Sequence, residues 1–77
     1  MNNIIIINHQ KEVVYVYSLL HNSQLQLARL KPNENTIQNI PRNTTIHIRD
    51  EQNVHGYNIP MNLISTKNIS NDSYLII

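Results

Sequence analysis

Apolar runs alternate with short polar segments along the whole chain, and the runs have the residue types of β-strands. "VVYVYSLL" (residues 13–20) is rich in β-branched and aromatic residues and is apolar on both faces. "QLQLARL" (residues 24–30) alternates polar and apolar positions, and the "HNS" before it has turn residues. The pattern predicts a hairpin over residues 13–30, with a β-bulge near Ala28 that restores the register of Leu30.

The second half of the chain continues the strand pattern. "TTIHIRD" (residues 44–50) predicts a half-buried strand with Ile46 and Ile48 facing inward. The polar "DEQN" (residues 50–53) predicts a turn, after which residues 54–64 alternate again. Pro60 removes a ladder hydrogen bond and predicts an edge strand. Gly56, the single glycine, predicts a turn or bulge with positive φ.

Three other segments separate or join these strands. "KPNEN" (residues 31–35) predicts a type I turn with Pro32 at its second position. "TIQNI" (residues 36–40) suits a helical turn as well as an irregular strand, and Pro41 ends it in either case. Residues 65–73 are predicted to be mostly loop, anchored by Ile69.

Both ends of the chain are strongly apolar, with "IIII" at residues 4–7 and "YLII" at residues 74–77. The first run is too short for a signal peptide and lacks basic residues before it. No stretch approaches the roughly 20 apolar residues of a membrane helix. We therefore expect synthesis in the cytoplasm with no signal peptide or transmembrane segment, and two terminal strands that each need cover.

Together these elements predict a single all-β domain over residues 1–77, with little or no helix. Strands with turns every 8–12 residues indicate a small β-sandwich or a partly closed β-barrel of about seven short antiparallel strands. The chain has no cysteine, so no disulfide supplements the modest core of a 77-residue domain. Thirteen Asn and thirteen Ile point to AT-rich codons, as in a phage, a virus or an AT-rich bacterium.

The leading functional hypothesis is a non-enzymatic structural or interaction protein that self-assembles. Strands that are apolar on both faces recruit other chains unless something covers them. The cover comes either from pairing of the two termini within one chain or from a second copy in a homo-oligomer. The predicted interface or seam residues are Ile4, Ile5, Ile6, Ile7, Tyr15, Tyr17, Tyr74, Leu75, Ile76 and Ile77.

Two alternatives stay open. A small β-barrel can bind single-stranded nucleic acid through aromatic rings flanked by basic residues. The residues that this hypothesis assigns to nucleic-acid binding are Tyr15, Tyr17, Arg29, Lys31 and Arg49. A net charge of +1 argues against it, because phosphate contacts carry most of the affinity of a nucleic-acid binder. The other alternative is an inhibitor that caps a host protein.

Catalytic and metal chemistry have little support in the sequence. The four histidines show no ligand spacing, although His47 and His55 could meet across a hairpin turning at residues 50–53, with Asp50 or Glu51 as a third ligand. One glycine makes a nucleophile loop with an oxyanion hole improbable. We therefore expect no enzyme, no metal and no cofactor.

Overall fold

The computed structural model of the chain describes residues 2–77 and shows an all-β sandwich, which confirms the predicted fold class. Every regular element in that range is a strand. The strands are β1 (Asn2–Ile7), β2 (Val14–Leu20), β3 (Ser23–Leu30), β4 (Asn35–Ile40), β5 (Thr44–Val54), β6 (Tyr57–Ile69) and β7 (Tyr74–Ile76). Residues 36–40 therefore lie in a strand, which settles the choice between helix and strand.

The strands form a three-stranded sheet, in the order β4-β1-β7, and a four-stranded sheet, in the order β3-β2-β5-β6. All pairs are antiparallel except β1 and β7, which run parallel. The prediction of antiparallel strands is wrong for that pair. β7 can run parallel to β1 because the chain reaches it by crossing from the other sheet. No tight hairpin joins the two strands, so nothing forces β7 to run antiparallel to β1. The two termini are thus paired within one chain.

The core lies between the sheets and takes alternate residues of each strand. Ile46 and Ile48 of β5 are fully buried, as predicted. Two apolar residues of β1, two of β2 and four from the remaining strands pack in the same buried cluster. The buried cluster is Ile4, Ile6, Val14, Val16, Leu30, Ile40, Ile46, Ile48, Ile69 and Leu75. Each such side chain contributes about 1.5–3 kcal/mol when it leaves water.

The β2–β3 hairpin matches the prediction closely. His21 and Asn22 both have positive φ (53° and 66°), as a two-residue type I′ turn requires. Val16 pairs with Ala28, but Tyr17 pairs with Gln26, so one residue of β3 is extra. That bulge lies next to the predicted position.

The turn at residues 31–35 is present but is not type I. The Glu34 N–H donates to the Lys31 carbonyl at 3.0 Å, and Asn33 has a φ of 65°. A positive φ at the third position, after proline at the second, defines type II. Asparagine tolerates this left-handed conformation, and the Asn33 N–H there donates to the Asn8 carbonyl at 2.7 Å.

Residues 50–53 are strand and not a turn, so that prediction is wrong. β5 continues to Val54, and the chain reverses at His55 and Gly56, with φ of 50° and 85°. A two-residue hairpin turn needs positive φ at both positions, which the polar segment 50–53 does not supply as well as a glycine does. Gln52 and Asn53 are exposed, whereas Asp50 and Glu51 are half-buried and bound by neighbouring side chains, so the polarity of this segment does not indicate a turn.

β6 is longer than the sequence suggested. It runs through residues 65–69, which were predicted as loop, and only residues 70–73 connect it to β7. Pairing with the long β5 keeps these polar residues in the sheet despite their exposed side chains. Two predictions here are confirmed: Ile69 is buried, and Pro60 lies on a strand at the edge of its sheet.

Asn8 is a fully buried polar residue that joins three segments. Its side-chain amide donates to the carbonyls of Glu12 (2.9 Å) and Leu30 (3.0 Å), and its side-chain oxygen accepts from the Gln10 N–H (2.9 Å). Every polar atom of the side chain is therefore satisfied, as a buried amide requires. These bonds hold the segment after β1 against the end of β3.

Candidate functional site

The four isoleucines of β1 divide between two faces of the three-stranded sheet. Ile4 and Ile6 lie in the core, whereas Ile5 and Ile7 point to the outer side and are half-buried. Leu75 of β7 is also a core residue, at 7% exposure. Of the terminal residues, only the outward set can contact a partner while the sandwich stays intact.

The strand register brings further apolar side chains beside Ile5 and Ile7. Ile5 pairs with Ile37 of β4 on one side and with Tyr74 of β7 on the other, and Ile7 pairs with Ile76. Ile37 is 69% exposed, Tyr74 is 61% exposed and Ile76 is 57% exposed. We call Ile5, Ile7, Ile37, Tyr74 and Ile76 the isoleucine face. Ile77 packs against the core at the end of β7 instead.

The rim of the isoleucine face is made of amides. Asn3, Asn35 and Asn39 occupy the remaining outward positions of β1 and β4, and the Asn39 side chain donates to the Asn3 side chain at 2.8 Å. The outward positions of the three strands thus carry no charged residue. At strand spacings of about 4.8 Å and rises of about 3.3 Å per residue, the sheet presents roughly 300 Å² of projected surface.

Ile37 is the residue of this face that sequence reasoning missed. Ile37 and Ile40 are three residues apart, which suits one face of a helical turn. In a strand the same spacing puts them on opposite faces, so Ile40 is buried at 3% exposure while Ile37 stays in solvent. The preceding type II turn was the available signal, because a tight turn after β3 favours another strand.

The outer face of the four-stranded sheet holds the other predicted residues. Tyr15 pairs with Arg29 on β3 and with Arg49 on β5, and Tyr17 lies one outward position further along β2. The structure thus places Tyr15, Tyr17, Arg29 and Arg49 on one face. Lys31 lies outside this group, in the turn after β3.

Tyr15, Arg29 and Glu51 form a closed group, which we call the tyrosine network. The Tyr15 hydroxyl donates to Glu51 Oε2 at 2.6 Å, and the Arg29 guanidinium donates to both carboxylate oxygens at 2.8 and 3.0 Å. The guanidinium carbon also lies 6.0 Å from the centroid of the Tyr15 ring. As a result Tyr15 is only 5% exposed, although it is on an outer face.

The electrostatics of the network follow from these bonds. The hydrogen bonds from Arg29, and then from Tyr15, hold the pKa of Glu51 below its usual range. Burial, followed by the bond to Glu51, raises the pKa of Tyr15. The hydrogen bond to Glu51 raises the pKa of Arg29, so the guanidinium stays charged. The network therefore pairs its charges internally and offers neither a free cation nor a bare ring.

The remaining candidates for nucleic-acid contact are weaker in this geometry. The Arg49 guanidinium donates to the Met61 carbonyl at 2.8 Å, which ties it to β6. Tyr17 is half-buried, and its hydroxyl is 3.4 Å from Gln26 Oε1. Tyr17 is one half-buried ring, and both neighbouring guanidinium groups are hydrogen-bonded within the protein. This face therefore offers a nucleic-acid base little surface for stacking.

The structure does not assemble the histidine site considered from the sequence. His47 lies within β5 and His55 lies in the turn after it, so the two are about 26 Å apart at ~3.3 Å per residue. Residues 2–77 contain no group of three side chains able to hold a metal ion and show no pocket. The same range contains no helix that is long and apolar enough to cross a membrane.

Comparisons of the chain with protein-family models, with curated proteins and with solved structures gave no match. The functional argument therefore depends on the geometry of the two outer faces.

Proposed function

We propose that this chain is a non-enzymatic structural or interaction protein that self-assembles, and that the isoleucine face is its contact surface. The observation that carries the proposal is the exposure of Ile37, Tyr74 and Ile76 around the two outward isoleucines of β1. The largest apolar patch on a typical monomer covers about 300–600 Å² and is often functional, and the isoleucine face lies at the lower end of that range. Burying it against another molecule would remove these side chains from water.

A second copy suits the isoleucine face because the face is uncharged and apolar at its centre. Under a two-fold axis each copy presents the same surface, and a charged residue near the axis would face its own like charge. The outward positions contain only Ile, Tyr and Asn, which avoids that cost. Two such sheets can stack about 10 Å apart with strands crossed by about 30°, as sandwich sheets do.

The size of the face determines the strength expected of this contact. Two copies bring together roughly 600 Å² of projected surface. Accessible area is larger than projected area, so the contact lies near or below the lower end of the ~1,200–2,000 Å² buried in stable interfaces. We therefore expect association through this face to be weak and to depend on protein concentration. A different protein capped by the same surface would give a similar contact, and a wild-type chain that stays monomeric in the test below would favour such a partner over a second copy.

The test is molar mass measured by light scattering during size exclusion at several concentrations. The chain has a mass of 9.0 kDa, so a dimer is readily resolved. Ile37→Glu places a charge at the most exposed aliphatic of the isoleucine face and should lower the mass. Leu25→Glu is the matched control, because Leu25 is 64% exposed on an edge strand of the other sheet. Equal effects from the two variants would contradict the proposal.

One observation favours a second candidate function: Tyr15, Tyr17, Arg29 and Arg49 share one outer face. In this reading the four-stranded sheet binds single-stranded nucleic acid. Titration of a fluorescent oligonucleotide at low salt, where phosphate attraction is strongest, tests it. Binding that weakens with Arg49→Gln supports nucleic acid, and no binding at low salt removes it.

A further inference from the structure

The outer edge of β6 is a long strand edge with uncovered apolar side chains. β6 is the last strand of the four-stranded sheet, and no other strand pairs with it beyond β5 in the described range. Met61, Leu63 and Ile64 are 39%, 46% and 47% exposed. Pro60, Lys67 and the register shifts against β5 are features that protect a strand edge. The unpaired backbone groups between Pro60 and Lys67 still provide a template for pairing with another strand. The isoleucine face is on the other sheet, so this edge is a separate surface.

One charged group lies on this edge strand and a second lies on the neighbouring strand β5, and the two do not form an ion pair. Lys67 is the single charged residue of β6. The Asp50 carboxylate accepts from the Asn62 backbone N–H at 2.8 Å and from the Asn62 side chain at 3.0 Å. The ion pair found within residues 2–77 joins Arg29 and Glu51, so neither Lys67 nor Asp50 is neutralised by an opposite charge.

We propose that β6 pairs antiparallel with β6 of a second copy about a two-fold axis, with Leu63 opposite Thr66 and Asn62 opposite Lys67. The two four-stranded sheets then form one sheet of eight strands. Each Lys67 comes to lie beside the Asn62 of the other copy, and the Asp50 that binds this Asn62 is one strand further. The β5–β6 pair shifts register on both sides of Arg49, so Asp50 is not paired with a single residue of β6. Two strand spacings of ~4.8 Å therefore set a lower limit of about 10 Å between the Cα atoms of Lys67 and Asp50.

The faces of the sheet agree with this register. Lys67 pairs with Ile46 and Asp50 pairs with Val14, so both occupy positions on the core-facing side of the sheet. A two-fold axis normal to the sheet keeps that side in common for both copies. If Lys67 were opposite Pro60 instead, the nearest acid would be Glu51, which lies on the outer face and is already bound to Arg29. The charges therefore favour the first register.

The consequence is assembly beyond a dimer. A two-fold contact through β6 and a different two-fold contact through the isoleucine face would link copies in series. This serial assembly depends on the proposed function, whereas the β6 pair does not. Loss of either contact alone should leave dimers formed through the other.

Sedimentation velocity over a range of protein concentrations tests the β6 pair, with far-UV circular dichroism as the check on folding. We expect the wild-type chain to exceed the mass of a dimer. Lys67→Glu should reduce the assembly to no more than a dimer, because the introduced carboxylate then faces Asp50 of the other copy. Adding Asn62→Lys should restore the larger species, since the introduced ammonium group is then opposite the introduced carboxylate. Ile37→Glu alone should leave a dimer.

The outcomes separate the two contacts. An unchanged mass in Lys67→Glu overturns the β6 pair, and so does a fully monomeric Ile37→Glu variant, which leaves the isoleucine face as the contact. A monomeric Lys67→Glu variant supports the β6 pair and removes the isoleucine face. A wild-type monomer at every concentration overturns both.

Cross-linking gives a second readout of the register, because the natural chain has no cysteine. Leu63→Cys with Thr66→Cys places the two thiols opposite each other across the proposed pair, but three residues apart within one strand. Oxidation should give a covalent dimer on a non-reducing gel. The control pair Asn58→Cys with Leu63→Cys lies out of register, and equal cross-linking of both pairs would contradict the proposed register.

Discussion

The outer faces of the two sheets differ in how far their apolar side chains are covered by neighbouring side chains. Both strands β1 and β2 are apolar on two sides, and each sends one side out of the sandwich. On the four-stranded sheet, the Arg29–Glu51 ion pair covers Tyr15 and leaves it 5% exposed. On the three-stranded sheet no charged side chain covers Ile37 or Tyr74, which stay more than 60% exposed. The difference shows that apolar composition alone does not identify a contact surface, because neighbouring strands determine what remains uncovered.

The largest expected effect separates the two faces of β1. Ile6→Ala should cost about 2–5 kcal/mol of unfolding free energy, because it leaves a cavity in the core. Ile5→Ala, one residue earlier and outward, should cost about 1 kcal/mol or less. Urea denaturation of both variants measures the difference. Similar losses would mean that the outward residues of β1 are as well packed as the inward ones.

Asn8 and Asn39 provide a second comparison, between a buried and an exposed asparagine. Asn8→Ala removes the partner of two backbone carbonyls, those of Glu12 and Leu30. Leaving buried polar groups unsatisfied costs about 1–3 kcal/mol each. We expect a loss of about 2–4 kcal/mol in urea denaturation. Asn39→Ala, which removes a solvent-exposed amide pair on the isoleucine-face rim, is the control and should change stability little.

The sequence predicted the parts of this fold that depend on local patterns. Ile46 and Ile48 alternate with polar residues, so the sequence predicts their inward orientation. The burial of Asn8 is not predictable, because nothing in the neighbouring sequence indicates a buried asparagine. Its side chain donates to the carbonyls of Glu12 and of Leu30, which is 22 residues away. Pairing of the two chain ends was one of two alternatives that the sequence left open, but strand propensity carries no information about its parallel direction.

The candidate site was predictable to the same extent. The terminal apolar runs predict strands at both ends of the chain, but only the structure shows that Ile5 and Tyr74 face out while Ile6 and Leu75 face in. The sequence pattern predicts a turn at Glu51, so it does not predict the bond from Tyr15. That bond covers Tyr15, whereas Ile37 and Tyr74 have no equivalent cover.

A smaller effect tests the tyrosine network directly. Tyr15→Phe removes the 2.6 Å hydrogen bond to Glu51 and should cost about 1 kcal/mol. Tyr17→Phe removes a hydroxyl whose contact with Gln26 is 3.4 Å and should have almost no effect. Thermal denaturation of the two variants provides the measurement. A greater loss from Tyr17→Phe would contradict the closed network.

The smallest expected effect is on the pH dependence of stability. The pKa of Glu51 is lowered in the folded state, so its contribution is present above the ordinary glutamate value of 4.5 and is lost as pH falls below it. The pKa of Tyr15 is raised, so its contribution is present below 10.0 and declines as pH rises above that value. Glu51→Gln should flatten the acid side of the profile, measured by urea denaturation between pH 3 and 7. An unchanged profile would show that Glu51 does not contribute to it.

The central claim is that an uncovered apolar face makes this protein associate with itself. Its most direct test is the molar mass of the wild-type chain by light scattering at rising concentration, beside the Ile37→Glu and Leu25→Glu variants. We predict that the mass rises above 9.0 kDa for the wild type and for Leu25→Glu, and that it is lower for Ile37→Glu. A wild-type chain that stays a 9.0 kDa monomer at high concentration would contradict the claim.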